Sequence, residues 1–123
     1  MRGLILGLAV GLAVLLTAGE GRAMTGQKLA EVCANLAPES PEDLIKFGRC
    51  FGYVEAIVDT GTLDEVTNKT KYDGGRTVCK PKTATQGQVV EVVKRFLKEF
   101  PQTWHIGADM IVAAALEWGF PCR

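Results

Sequence analysis

The chain is predicted to be all-α: a small four-helix bundle stapled by disulfides, following a cleaved signal peptide. Three observations carry this prediction. Apolar residues recur at intervals of three and four in four stretches, breaks carrying Pro or Gly separate those stretches, and all four cysteines lie beyond residue 23.

Arg2 is followed by an uncharged run from Gly3 to Leu16 and then by Thr17-Ala18-Gly19-Glu20-Gly21-Arg22-Ala23. A positive start, a short apolar stretch and small residues before a cut are the layout of a secretory leader. Leu4 to Ala18 is 15 residues, short of the roughly 20 that a membrane span needs. The cut is expected after Ala23, leaving residues 24–123 as one helical domain. With Glu20 following Gly19, where a lipoprotein signal needs cysteine, no lipid anchor is expected. Loss of Arg2, Arg22 and Glu20 with the leader turns a balance of 14 basic and 14 acidic residues into a net charge near −1. Such a chain carries no electrostatic footprint for nucleic acid or an anionic membrane.

Met24 to Leu36 places Leu29, Val32, Cys33 and Leu36 on one helical face. Pro38 follows, and Ser40-Pro41-Glu42-Asp43 opens a second helix with Ser40 as N-cap, Pro41 at the first helical position and Asp43 reaching back. That helix is expected to run to about Val66 as the buried axis of the fold, on the stripe Leu44, Phe47, Phe51, Val54 and Val58. Gly48 and Gly52 each cost about 1 kcal/mol relative to Ala in a helix, so another helix is expected to pack close to them. Residues 68–84 are polar and rich in turn formers, and are expected to be a long loop, functional or mobile; Asn68-Lys69-Thr70 within them matches a glycosylation acceptor. Thr85 and Gln88 form a capping box ahead of Val89, Val92, Val93, Phe96, Leu97 and Phe100, with Glu91, Lys94, Arg95, Lys98 and Glu99 on a solvated opposite face. Pro101 ends this third helix. Thr103 is a candidate cap for the fourth, which is apolar almost all round from Ile106 to Leu116 and therefore central or at a subunit interface.

Cys33, Cys50, Cys79 and Cys122 are an even set behind a leader, which indicates two disulfides in an oxidising compartment. Counting alone leaves three pairings open. If neighbouring helices pack antiparallel, Cys33 faces the early second helix, and Cys79 before the third helix meets Cys122 after the fourth. The expected bridges are Cys33–Cys50 and Cys79–Cys122.

Catalytic chemistry finds little support. Four paired cysteines leave no thiolate for His105, the single histidine. No phosphate-cradling loop or metal-ligand spacing occurs, so no catalytic residue, cofactor or metal is expected. Glu55 and Asp59 stand four apart on one face but have no nucleophile or pocket beside them, and are read as a solvated or hydrogen-bonded pair. Trp104 sits at a helix–helix turn, where it is either a core plug or a binding anchor.

Several blocks together resemble a known family. Cys50-Phe51-Gly52-Tyr53-Val54-Glu55-Ala56-Ile57-Val58-Asp59, with Gly52, Tyr53 and Asp59 as its structural marks, is similar to the C-x-G-Y-[IV]-x-[GA]-[IV]-x-D core of the Rap1a/Tai immunity proteins. Cys79-Lys80-Pro81, the helix from Thr85 to Leu97, and Phe120-Pro121-Cys122 resemble its later segments. The resemblance implies a small periplasmic helical protein, often homodimeric, which binds and inhibits a peptidoglycan amidase effector of type VI secretion by blocking its active-site cleft. It does not supply specificity residues. Physical reasoning nominates the short, aromatic-bearing turn with Gln102, Thr103, Trp104 and His105, then the Asn68 to Arg76 segment with Lys71 and Arg76. The alternative function is a disulfide-stapled periplasmic chaperone of the acid-stress type, for which a near-neutral charge and one histidine provide no strong pH switch.

Overall fold

The computed structural model describes residues 23–123; the expected leader up to Arg22 lies outside them. The helices are α1 (Gly26–Cys33), α2 (Pro41–Val58), α3 (Gln86–Glu99) and α4 (Ala108–Gly119). Between α2 and α3 the chain forms three strands, β1 (Thr62–Asp64), β2 (Lys69–Tyr72) and β3 (Arg76–Val78), and a 3-10 turn over Pro101–Thr103 links α3 to α4. No helix among the described residues is long and apolar enough to cross a membrane.

The strands correct the all-α expectation. They form an antiparallel sheet in the order β1-β2-β3, with Leu63 opposite Thr70, Lys71 opposite Thr77 and Tyr72 opposite Arg76. The expected loop from 68 to 84 therefore contains a hairpin, turned by Gly74 and Gly75 at φ 86° and 80°, a region closed to most side chains. The polar segment satisfies its backbone by pairing across strands, and strand alternation puts Tyr72 and Val78 inside. The expected extension of α2 to Val66 fails for the same reason. The helix stops at Val58, Thr60 donates its hydroxyl to the Ile57 carbonyl at 2.7 Å, and the chain reverses at Gly61. A Cβ on Gly61 would lie 2.7 Å from Tyr72 Cζ, so the ring of the incoming strand needs a glycine there.

The caps behave locally as expected. Ser40 Oγ accepts the Asp43 N–H at 3.1 Å, and Thr85 and Gln88 complete a reciprocal capping box at 3.2 and 2.9 Å. Asp43, however, reaches back to the Glu39 N–H instead of closing a box on Ser40. Thr103 does not cap α4: its hydroxyl donates to the Phe100 carbonyl at 2.7 Å, and α4 starts after Gly107 with no side-chain cap.

The buried axis is α4, not α2. Ala108, Ile111, Val112, Ala113, Ala115 and Leu116 are buried, whereas α2 buries only Cys50 and Val54 and leaves Leu44 and Ile45 60% and 66% exposed. A Cβ at Gly48 or Gly52 would meet nothing within 4 Å, so the expected close helix approach is absent. The core gathers Leu29 and Val32 of α1, Val89, Val90, Val93 and Leu97 of α3, and Tyr72 and Val78 of the sheet around α4. Each fully buried aliphatic side chain contributes about 1.5–3 kcal/mol. The bridges are Cys33–Cys50, which ties α1 to α2, and Cys79–Cys122, which ties the end of the sheet to the chain beyond α4. Beside the second bridge the Cys79 N–H donates to the Phe120 carbonyl at 2.9 Å.

Candidate functional site

The turn after α3 is held from both sides. Pro101 cannot continue the helix, and the N–H groups of Thr103 and Trp104 close onto the carbonyls of Phe100 and Pro101 at 3.0 and 3.2 Å. Trp104 Nε1–H donates to the Leu97 carbonyl at 2.8 Å, folding the indole back along α3. From the other side, the Gln27 N–H donates to the Trp104 carbonyl at 2.8 Å and the Gly26 N–H to the Ile106 carbonyl at 2.9 Å. A Cβ on Gly26 would stand 2.7 Å from the Trp104 carbonyl oxygen, so glycine permits this approach. Gln102 and His105 are exposed, while Thr103 and Trp104 are half-buried. Trp104 is partly buried and packs against the core.

Lys71 and Arg76 lie on the hairpin. Lys71 is exposed on β2. Arg76 Nη1 donates to Glu117 Oε1 of α4 at 3.0 Å, and the Thr77 N–H donates to the other carboxylate oxygen at 3.2 Å. Glu117 is thus the residue that docks the hairpin on α4. In the sequence, Glu117 and Asp109 are the charges of an otherwise apolar helix, and no local signal marks the partners of Glu117, 41 and 40 residues earlier. The turn residues and the hairpin residues share no hydrogen bond or ion pair among the described residues, so they are two separate surfaces.

The marks of the family-like block lie on α2 and at its C-cap. Tyr53 lies beside Asp109, and burial together with that carboxylate pushes its hydroxyl above the ordinary tyrosine value. Tyr72 donates its hydroxyl to the Val58 carbonyl at 3.1 Å; burial, then the Asp59 charge, push it up as well. Gly52 is exposed. Glu55 is hydrogen-bonded: its Oε2 accepts Gln86 Nε2–H at 3.0 Å and ties α2 to the start of α3.

Among the described residues no three His, Cys, Asp or Glu side chains gather as a metal site would require, and all four cysteines are in disulfides. Two open troughs on the described surface are mainly apolar. One of about 400 Å³ lies along Gln88, Val92 and Arg95 against Phe120, and one of about 420 Å³ lies between α1 and α3 with Trp104 at its end. The residues that line these two troughs do not pair a nucleophile with a base.

A family model describing Rap1a immunity proteins matches residues 25–122. No curated protein matches the chain.

Proposed function

Because the chain belongs to the Rap1a immunity protein family, we propose that it protects its own cell by binding a peptidoglycan amidase effector of type VI secretion and blocking its active-site cleft. The observation that carries this reading is the turn from Pro101 to His105. It is pinned by the Leu97 carbonyl on one side and by Gln27 on the other, yet leaves Gln102 and His105 exposed. A segment that enters a cleft loses less entropy when it is already fixed in its bound shape, and Trp is enriched among the residues that dominate interfaces. The hairpin bearing Lys71 and Arg76 is the second contact candidate. Periplasmic action is supported by the two disulfides, which need an oxidising compartment, and by the leader-like layout of residues 1–23.

We further propose that the protein acts as a homodimer. The apolar side chains Leu44 and Ile45 on α2, more than half exposed, support a self-association surface there. Sedimentation equilibrium of wild type and Leu44→Glu/Ile45→Glu tests it, and a wild-type monomer at tens of micromolar would refute it.

The functional test is capture and calorimetry with the amidase encoded beside this chain's gene, together with co-expression of both in the periplasm. The chain is expected to bind that amidase and abolish lysis. Trp104→Ala is expected to weaken binding by more than about 1 kcal/mol. Unchanged affinity alongside a large fall in thermal stability would make Trp104 a core residue only, and absence of any complex would refute the amidase reading.

A further inference from the structure

We propose that the trough between α1 and α3 is a second docking site, which takes an extended segment of the effector carrying an apolar side chain flanked by Asp or Glu. This rests on the immunity reading above and adds a surface and a partner chemistry to it.

The trough follows from residue sizes. Ala30 and Cys33 of α1 and its C-cap Ala34 stand at i, i+3 and i+4, so this face at the end of the helix presents small side chains. Leu97 of α3 lies opposite, and the Trp104 indole closes one end, held by its 2.8 Å hydrogen bond to the Leu97 carbonyl. The space left is about 420 Å³, within the range of sites that accept ligand groups. Its walls are preformed. The Cys33–Cys50 bridge fixes the α1 end, and the backbone bonds from Gly26 and Gln27 fix α1 against the Trp104 turn.

The charge around this apolar floor has one sign. Lys94 and Lys98, four apart on α3, line it. Neither is in an ion pair among the described residues, where the paired cations are Lys28, Lys46, Arg76 and Arg95. Glu31, next to Ala30 on α1, is taken up by Lys28 at 3.1 Å. Two uncompensated ammonium groups beside an apolar trough are complementary to an apolar side chain with carboxylates next to it. A free anionic lipid surface is a poorer match, because electrostatic lipid binding uses clusters of about four to eight basic residues.

Calorimetry of the full chain with the purified cognate amidase tests the assignment. Lys94→Glu/Lys98→Glu is expected to weaken binding about tenfold or more and to flatten its salt dependence. Ala34→Phe, at an exposed position, fills the trough without changing charge and is expected to weaken binding by a similar factor. Lys82→Glu, outside the trough, is the control and is expected to stay within about twofold. If charge reversal unfolds the chain, as circular dichroism would show, Lys94→Ala/Lys98→Ala replaces it with the same expected direction. Wild-type affinity in both the lysine and the Ala34 variants overturns the trough while leaving the immunity reading intact. Failure of the unaltered chain to bind the amidase overturns both. Phosphatidylglycerol vesicles that bind wild type but not the lysine variant, with amidase affinity unchanged, would also overturn the proposal, in favour of a membrane surface.

Discussion

Replacing Glu117 with alanine releases the hairpin from α4, and the cost can be worked from the geometry. Its carboxylate accepts from Arg76 at 3.0 Å and from the Thr77 N–H at 3.2 Å. The ion pair is partly exposed, at 39% and 41% for the two side chains, so solvent screening leaves it only about 0.2–1 kcal/mol. The backbone bond to a charged acceptor contributes about 1.5 kcal/mol, at the low end of its class because the carboxylate is still partly hydrated. Glu117→Ala should therefore lose about 2 kcal/mol, which for a domain of this size lowers the melting temperature by about 8–16 °C. Glu117→Gln keeps an acceptor for Thr77 and should lose only about the ion-pair share, under about 1 kcal/mol. Thermal melts give the magnitudes, and amide exchange locates the effect: protection should fall at Thr70, Tyr72 and Val78 before it falls on α4. A Glu117→Ala variant within about 0.5 kcal/mol of wild type would refute the reasoning, that being the ordinary range for a surface substitution. Equal losses in the two variants would refute the assignment of most of the energy to Thr77.

Other expectations follow from the same packing. Glycine has opposite consequences at two places on one segment: Gly61→Ala drives a Cβ into Tyr72 and should cost about 1–3 kcal/mol, whereas Gly48→Ala and Gly52→Ala, with open space around them, should each stabilise by about 0.5–1 kcal/mol in urea unfolding. Removing the Cys79–Cys122 bridge as a double serine variant opens a loop of 43 positions and should cost about 4 kcal/mol, against about 3 for the 17 positions of Cys33–Cys50; comparing urea midpoints of the two variants checks the order. At alkaline pH, Tyr53 and Tyr72 hold their protons longer in the folded chain than in the unfolded one. The unfolded state therefore loses protons first, and stability present below about pH 10 declines as pH rises through the raised folded values. Tyr72→Phe should weaken that decline while losing about 1 kcal/mol at neutral pH with its bond to Val58; an unchanged alkaline slope in unfolding experiments would contradict it.

Much of the helical framework was legible because its signals are local. The Ser40 and Thr85 caps and the Pro101 stop each act within about a turn of helix, so the residues that decide them are neighbours in the chain. The sheet was not legible. Its strands are three or four residues long and mostly polar, with Leu63 exposed and only Tyr72 and Val78 inside, too short and polar for an alternation to stand out from a loop. Of the candidate site residues, the turn around Trp104 was legible as a Pro-initiated break bearing an aromatic. Lys94 and Lys98 were not, because on their own helix they belong to a mixed charged face. Only the small residues of α1 opposite them create the trough.

The sequence by itself determined where α2 and α3 start and that α3 stops before Pro101, which cysteines antiparallel helices bring together, and the family to which the chain belongs. Tertiary structure alone decided that α4 and not α2 is the buried axis, that α2 ends at Val58, and that Glu117 holds the hairpin. The division has a physical cause. Capping and periodicity are satisfied within a few residues, whereas burial and strand pairing depend on partners dozens of positions away, and an amphipathic stripe such as that of α2 does not state how much of itself a neighbour will cover.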